Sequence, residues 1–161
     1  MTIREFCLSR RKAESKAFVS VLKAVPKDRL EYRPDPKART AAELAFLIAA
    51  EEAGLSKLID EGRIEWKESK PPADTDEMVT LFEASHAGVN ERLEKMDDAG
   101  WERKVDFVMT GGGTWTDSLG EFVWGFLFDQ IHHRGQLSTY LRPMGGKVPS
   151  IYGPSADDPG Q

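Results

Sequence analysis

The sequence of 161 residues holds one cysteine, Cys7, and three histidines. A single cysteine cannot close an intramolecular disulfide and excludes a cysteine-based zinc site. No apolar run approaches the length of about 18 residues that a membrane-spanning helix needs. The N-terminal stretch MTIREFCLSRRKAE has neither the continuous apolar segment nor the small-residue cleavage site of a signal peptide. A reducing cytoplasm is therefore the expected compartment. Basic residues are also few: 22 Lys and Arg stand against 27 Asp and Glu, a net charge of −5. With no long basic run, the chain lacks the cationic excess on which nucleic-acid and anionic-membrane binding lean. There is no internal repeat, no low-complexity tract and no G-x-S-x-G elbow. The glycine run Gly111-Gly112-Gly113 lacks the Lys and Ser/Thr of a phosphate-binding loop and reads as a turn.

What remains is 40% hydrophobic and 30% charged, the balance of a globular chain. Its length suits one domain, residues 1–161, with an extended C-terminal tail over 146–161. Four segments carry helical periodicity. The first runs from Thr2 to Val25, with an apolar stripe through Ile3, Phe6, Cys7, Ala13, Ala17, Phe18, Val21 and Leu22, and Pro26 ends it. Cys7 reads as a small buried hydrophobe rather than a reactive thiol. A proline-rich loop leads to Thr40, which with Glu43 forms a capping box. The second helix then follows Leu44, Leu47, Ile48, Leu55, Leu58 and Ile59 to a stop at Gly62. Asp74 and Glu77 suggest a capping box for the third helix, which reaches about Met96. Residues 99–117 alternate in polarity before the triple glycine and suggest a short extended excursion. Ser118 with Glu121 opens the last and longest helix, to about Met144. Four such amphipathic helices predict an all-α four-helix bundle with long crossover loops. The tail is expected over the surface, its last few residues disordered.

Few polar residues fall on the apolar stripes: Glu51 on the second helix, and Asp129, His133 and Gln136 on the last. A buried charge is costly unless paired or metal-bound. Asp129 and His133 are four apart and project from one helix face. That spacing suits two ligands of one metal ion and equally suits an intrahelical Asp–His hydrogen bond. His132 points about 100° away from His133 and is read as a surface, contact or supporting residue. His86 is read as a boundary or exposed histidine. Arg134 is read as tying its helix to a loop carboxylate. The four tryptophans are read as core or interface rather than as base-stacking platforms.

The run Phe128-Asp129-Gln130-Ile131-His132-His133-Arg134-Gly135-Gln136-Leu137 resembles the last-helix signature of the DinB/YfiT-like superfamily. The similarity continues through Ser138-Thr139-Tyr140-Leu141-Arg142 and Lys147-Val148-Pro149-Ser150-Ile151-Tyr152-Gly153-Pro154. It extends more weakly to Tyr32-Arg33-Pro34 and the Thr40-x-x-Glu43-Leu44 helix start. The resemblance implies a four-helix bundle, often a homodimer, holding divalent nickel or zinc with three side chains. Related enzymes act on small-molecule thiols as metal-dependent transferases or isomerases. Carried over by position, His133 matches the final ligand and Asp129 an acidic variant of the one before it. The expected histidine of the second helix falls at Leu47, so one ligand is missing, and Glu51, one turn along the same face, could replace it; His86 is a poorer stand-in. Two readings follow. One is an enzyme, a hydrolase or thiol transferase, in which a metal held by Asp129, His133 and Glu51 activates a thiol or water, with His132 or Tyr152 assisting. The other is a metal-free binding or stress-associated module, in which Asp129 and His133 pair with each other.

Overall fold

The computed structural model describes residues 1–160. Four long helices make the core: α1 (Ile3–Lys23), α2 (Ala41–Glu61), α3 (Thr75–Lys95) and α5 (Leu119–Leu141). They neighbour one another in the cyclic order α1, α3, α2, α5. The Thr40–Glu43 capping box forms as expected, with Glu43 N donating to Thr40 Oγ1 and Thr40 N to a Glu43 carboxylate oxygen. A second such box, Thr2 with Glu5, starts α1. Asp74 caps α3 by accepting from Asp76 N, so the expected pairing with Glu77 is replaced by a tighter turn. Gly62 ends α2 in the left-handed conformation. Helix α5 stops at Leu141 rather than Met144, where a turn leads into Gly145.

The all-α expectation needs correction. Between the helices lie a short helix α4 (Asp98–Glu102) and three strands, β1 (Arg63–Glu65), β2 (Lys104–Val108) and β3 (Thr114–Ser118). The excursion over 99–117 becomes the β2–β3 hairpin, with Val105 opposite Asp117 and Phe107 opposite Trp115. Its turn needs Gly111, Gly112 and Gly113 because all three have φ between 87° and 101°, where a Cβ is strained. Strand β1 adds to the hairpin in parallel, with Ile64 beside Phe107. It gave little sign in sequence because it is three residues long and buries only Ile64.

Two apolar clusters fill the interior, one around Phe18, Leu44, Ile48, Phe82 and Leu137, the other around Leu55, Leu58, Leu93, Leu119 and Val123. Three of the four long helices pass from one cluster to the other at a polar residue: Arg11 on α1, Glu51 and Glu52 on α2, His86 on α3. A polar layer therefore crosses the middle of the bundle. Ile3, Phe6 and Ala13, expected on the inner stripe of α1, are exposed; Arg11 takes the inner position instead. Cys7 is buried as expected, and burial pushes its thiol up to about 12.

The C-terminal tail runs back over the surface on side-chain hydrogen bonds. Asp157 accepts from Arg142 Nε and Val148 N, and Asp158 accepts from Ser150 N and Gly160 N. The expected disorder does not extend to these residues, and Gln161 lies outside the described residues.

Candidate metal centre

Helices α2 and α5 pack together at the level of the polar layer. Glu51 sits one turn after Leu47 and is 3% exposed, so its carboxylate turns inward and not to solvent. From α5, Asp129 and His133 reach the same point. His133 Nε2 lies 3.4 Å from Asp129 Oδ2 and 3.8 Å from Glu51 Oε1. One candidate ligand atom from each of the three lies within 4.8 Å of the other two. His133 Nδ1 is 2.9 Å from Gln136 Oε1. With Nδ1–H donating there, Nε2 is the nitrogen presented to the carboxylates. Asp129 stands at the edge of the helix face, its side chain 56% exposed, so it forms the mouth of the site and Glu51 the floor.

The electrostatics divide the two carboxyls. Burial, then the hydrogen bond and negative charge of Asp129, push the Glu51 carboxyl up to about 10. Asp129 is held below the usual carboxylate range, chiefly by its hydrogen bond to His133. Burial works to lower His133, but its hydrogen bonds to Asp129 and Gln136 prevail and raise it. Without a metal, burial favours the neutral form of Glu51, while the hydrogen bond between Asp129 and His133 favours the charged form of each. Glu51 Oε2 remains buried without a hydrogen-bond partner. Such an orphan is expensive in a finished core and is what a ligand to a cation would look like before the cation arrives. One imidazole nitrogen and an oxygen from each of two carboxyl groups, with Glu51 Oε2 unpartnered, fit a divalent first-row ion.

The three residues line a cavity of about 190 Å³ together with Arg39, Leu47, Trp66, Phe107 and Phe126. Leu47 thus puts apolar bulk in the wall. The cavity shares Phe107, Phe126 and Asp129 with an aromatic cleft of about 560 Å³. It shares Arg39, Leu47 and Trp66 with a pocket of about 290 Å³ that also bears Lys67, Lys70, Glu43 and Glu68. Trp66 is brought to the wall by β1, its N–H donating to Val108 O, and it stacks on Phe107 at 6.1 Å.

Other expected residues lie elsewhere. His132 lines the aromatic cleft, with its ring 5.2 Å from that of His133. Gln136 is exposed rather than inward; the inner polar positions of α5 are Gln130 and Arg134. Arg134 is buried and bonds the carboxylate of Glu14, on a helix and not a loop, and the Tyr152 hydroxyl. Tyr152 is therefore engaged with Glu14 and Arg134 and does not line the metal-candidate cavity. His86 is buried, not at a boundary, and belongs to a second cluster: Glu52 lies 2.6 Å from Arg11 Nη2 and 2.9 Å from His86 Nδ1. Glu51 and Glu52 are consecutive, so they face different sides of α2, one toward the cavity and one into the core.

Sequence reasoning passed over Arg11, Glu52 and Arg39. The first two had a signal in their spacing: Arg11 is four residues from Cys7, and Glu52 is four from Ile48 and three from Leu55. Arg39 sits in a loop, where no periodicity could reveal it.

The family model for "DinB family" matches residues 5–160. No curated protein matches the chain. Among solved structures, a DinB-like protein from Bacillus cereus is 22% identical, covering 92% of this chain and 97% of that one, with a TM-score of 0.73. A DinB-like protein from Bacillus subtilis is 18% identical, covering 88% and 93%, with a TM-score of 0.67. A mycothiol-dependent maleylpyruvate isomerase is 14% identical at a TM-score of 0.52; the match covers 92% of this chain and 62% of that one. At these identities the likeness is one of fold.

Proposed function

The chain belongs to the DinB family, and we propose that it is a divalent-metal-dependent enzyme acting through a metal-activated small-molecule thiol or water, its metal held by Glu51, Asp129 and His133. The observation that carries this reading is the convergence of three candidate ligand atoms within 4.8 Å, with Glu51 Oε2 buried and unpartnered beside them. A bound zinc or nickel ion would supply Lewis acidity, drawing the pKa of a thiol or water toward neutrality. The chain's own residues do the rest. Gln136 fixes the ring of His133 so that Nε2 faces the cavity. Glu51 supplies charge from a desolvated floor, where charge acts strongly. Asp129, half exposed, leaves the mouth open to an incoming ligand. The thiol is proposed by analogy with the mycothiol-dependent isomerase that shares the fold. No general base stands out: His132 lines the aromatic cleft, with its ring 5.2 Å from that of His133.

A metal-free binding module is the second reading. It is favoured by Leu47 in the cavity wall and by the contact of His133 with Asp129, which pairs the two without a metal. Elemental analysis of untagged protein, beside Asp129→Ala/His133→Ala and Glu51→Gln, separates the two. Near-stoichiometric zinc or nickel in the wild type, lost in both variants, supports the enzyme, and thiol-transfer and hydrolysis assays then follow. No metal after addition and removal of excess leaves the binding module.

A further inference from the structure

The cavity that holds Glu51, Asp129 and His133 shares lining residues with two others, and those two differ in chemistry. The larger is walled by Phe107, Met109, Trp115, Phe122, Phe126 and Phe128. Its volume of about 560 Å³ is that of a small-molecule pocket, and its only polar lining residues, Asp129 and His132, are neighbours on α5. The rings are mutually braced: Trp115 lies 4.9 Å from Phe122, and Phe107 lies 6.0 Å from both Phe122 and Phe126. Gly125 opens this wall, with nothing within 4 Å of where its Cβ would stand. The other is mixed in charge, with Arg39, Lys67 and Lys70 beside Glu43 and Glu68. Arg39, which it shares with the cavity of Glu51, is the one cation among the residues lining that cavity. Arg39 is engaged with Glu68 at 2.7 Å, but both side chains are more than 40% exposed. An exposed pair of this kind is worth little, so the guanidinium can exchange its partner for a ligand at small cost.

We propose that the substrate is an amphipathic small-molecule anion: an apolar or aryl body in the cleft between Phe107 and Phe128, and a carboxylate-type group on Arg39. The part lying between them would pass over Asp129 and His133. This rests on the proposed reading of that centre for its chemistry, but the two flanking subsites stand on their own geometry. An aromatic body satisfies the edge and face surfaces of the cleft. The anion meets a planar, forked donor suited to two oxygens.

The test is titration of tryptophan fluorescence with naphthylacetate and with its neutral amide, in metal-free protein and after loading with zinc, for the wild type, Arg39→Gln and Gly125→Leu. Naphthylacetate is expected to bind the wild type. Arg39→Gln is expected to weaken it by about tenfold or more while leaving the amide unchanged, as the loss of a charge-assisted hydrogen bond dictates. Gly125→Leu, which adds bulk into the cleft at an exposed helical position, is expected to weaken both. Equal binding of acid and amide, insensitive to Arg39→Gln, would overturn the anion subsite. Binding untouched by Gly125→Leu would overturn the cleft, as would a Gly125→Leu effect confined to sedimentation, which would make the cleft a face between copies of the chain. Failure here and failure of the metal reading are distinguishable. Zinc uptake without ligand binding sinks the substrate class alone, and ligand binding without zinc uptake sinks only the metal.

Discussion

Replacing Arg11 by Met removes a fully buried guanidinium from the polar layer. Arg11 and Glu52 have no solvent exposure and lie 2.6 Å apart. Arg11 Nε also donates to Asn90 Oδ1 at 3.2 Å. Methionine fills much of the volume but leaves Glu52 with His86 alone and Asn90 Oδ1 without its donor. Breaking a buried pair from one side costs about 3–5 kcal/mol. Some is returned, because Arg11 Nη1 is itself buried and unpartnered in the wild type, so about 3 kcal/mol is expected. Against a total stability of about 5–15 kcal/mol this is large. With a urea slope of about 2 kcal/mol/M, the midpoint should fall by about 1.5 M at pH 7. The pH dependence adds a second check. Burial works to raise the Glu52 carboxyl, but Arg11 and His86 outweigh it and hold it below its ordinary value. A carboxyl lowered on folding stabilises the protein above its unfolded pKa, and that contribution is lost as pH falls through the folded value. The gap between wild type and Arg11→Met should therefore narrow on acidification below about pH 4.3. The double variant Arg11→Met/Glu52→Leu should recover much of the loss, since an apolar pair can replace a buried ionic one. A single variant within about 1 kcal/mol of wild type at pH 7 would refute the reasoning. So would a double variant no better than the single.

Three further outcomes are expected. A Glu51 carboxyl raised to about 10 binds a proton on folding at pH 7, so the metal-free protein loses stability as pH rises above the unfolded value. Glu51→Gln should accordingly stabilise the metal-free protein by about 2–3 kcal/mol at pH 7 and by less at pH 5, read by thermal or urea unfolding; a destabilised variant would contradict it. Metal uptake at pH 7 should release about one proton from Glu51, measured by calorimetry in buffers of different ionisation enthalpy, and an uptake that releases none would place the metal elsewhere. Gly120→Ala should destabilise strongly, because a Cβ there would collide with the Trp101 indole where α5 begins over α4; by circular dichroism a loss of about 2 kcal/mol or more is expected, and near-neutrality would count against that packing.

The long helices were legible because each carries its period and its punctuation: Thr40 with Glu43, Gly62 after α2, Ser118 before α5. Asp129 and His133 were legible from spacing, and Glu51 from its place between Leu47 and Leu55. What could not be read was rotational phase. Within α5, the inner edge runs through Gln130 and Arg134, so Gln136 turned outward although it shares a nominal stripe with Tyr140. His86 looked peripheral because nothing in its neighbourhood announces an arginine 75 residues away. Likewise β1 forms because Gly62 O and Trp66 N meet β2 in space, a pairing with no local pattern.

That parallel pairing joins residues about forty positions apart, Arg63 beside Asp106, through only three residues of ladder. Closing so long a loop carries a large entropic cost, and so short a ladder offsets little of it. The wall that Trp66 and Phe107 lend to the cavity should consequently assemble after the helices have packed and detach before they part. Amides of β1 and β2 should exchange with solvent through local openings far shallower than global unfolding, so that access to Glu51 is governed by the fraying of a strand while the helical scaffold stays closed.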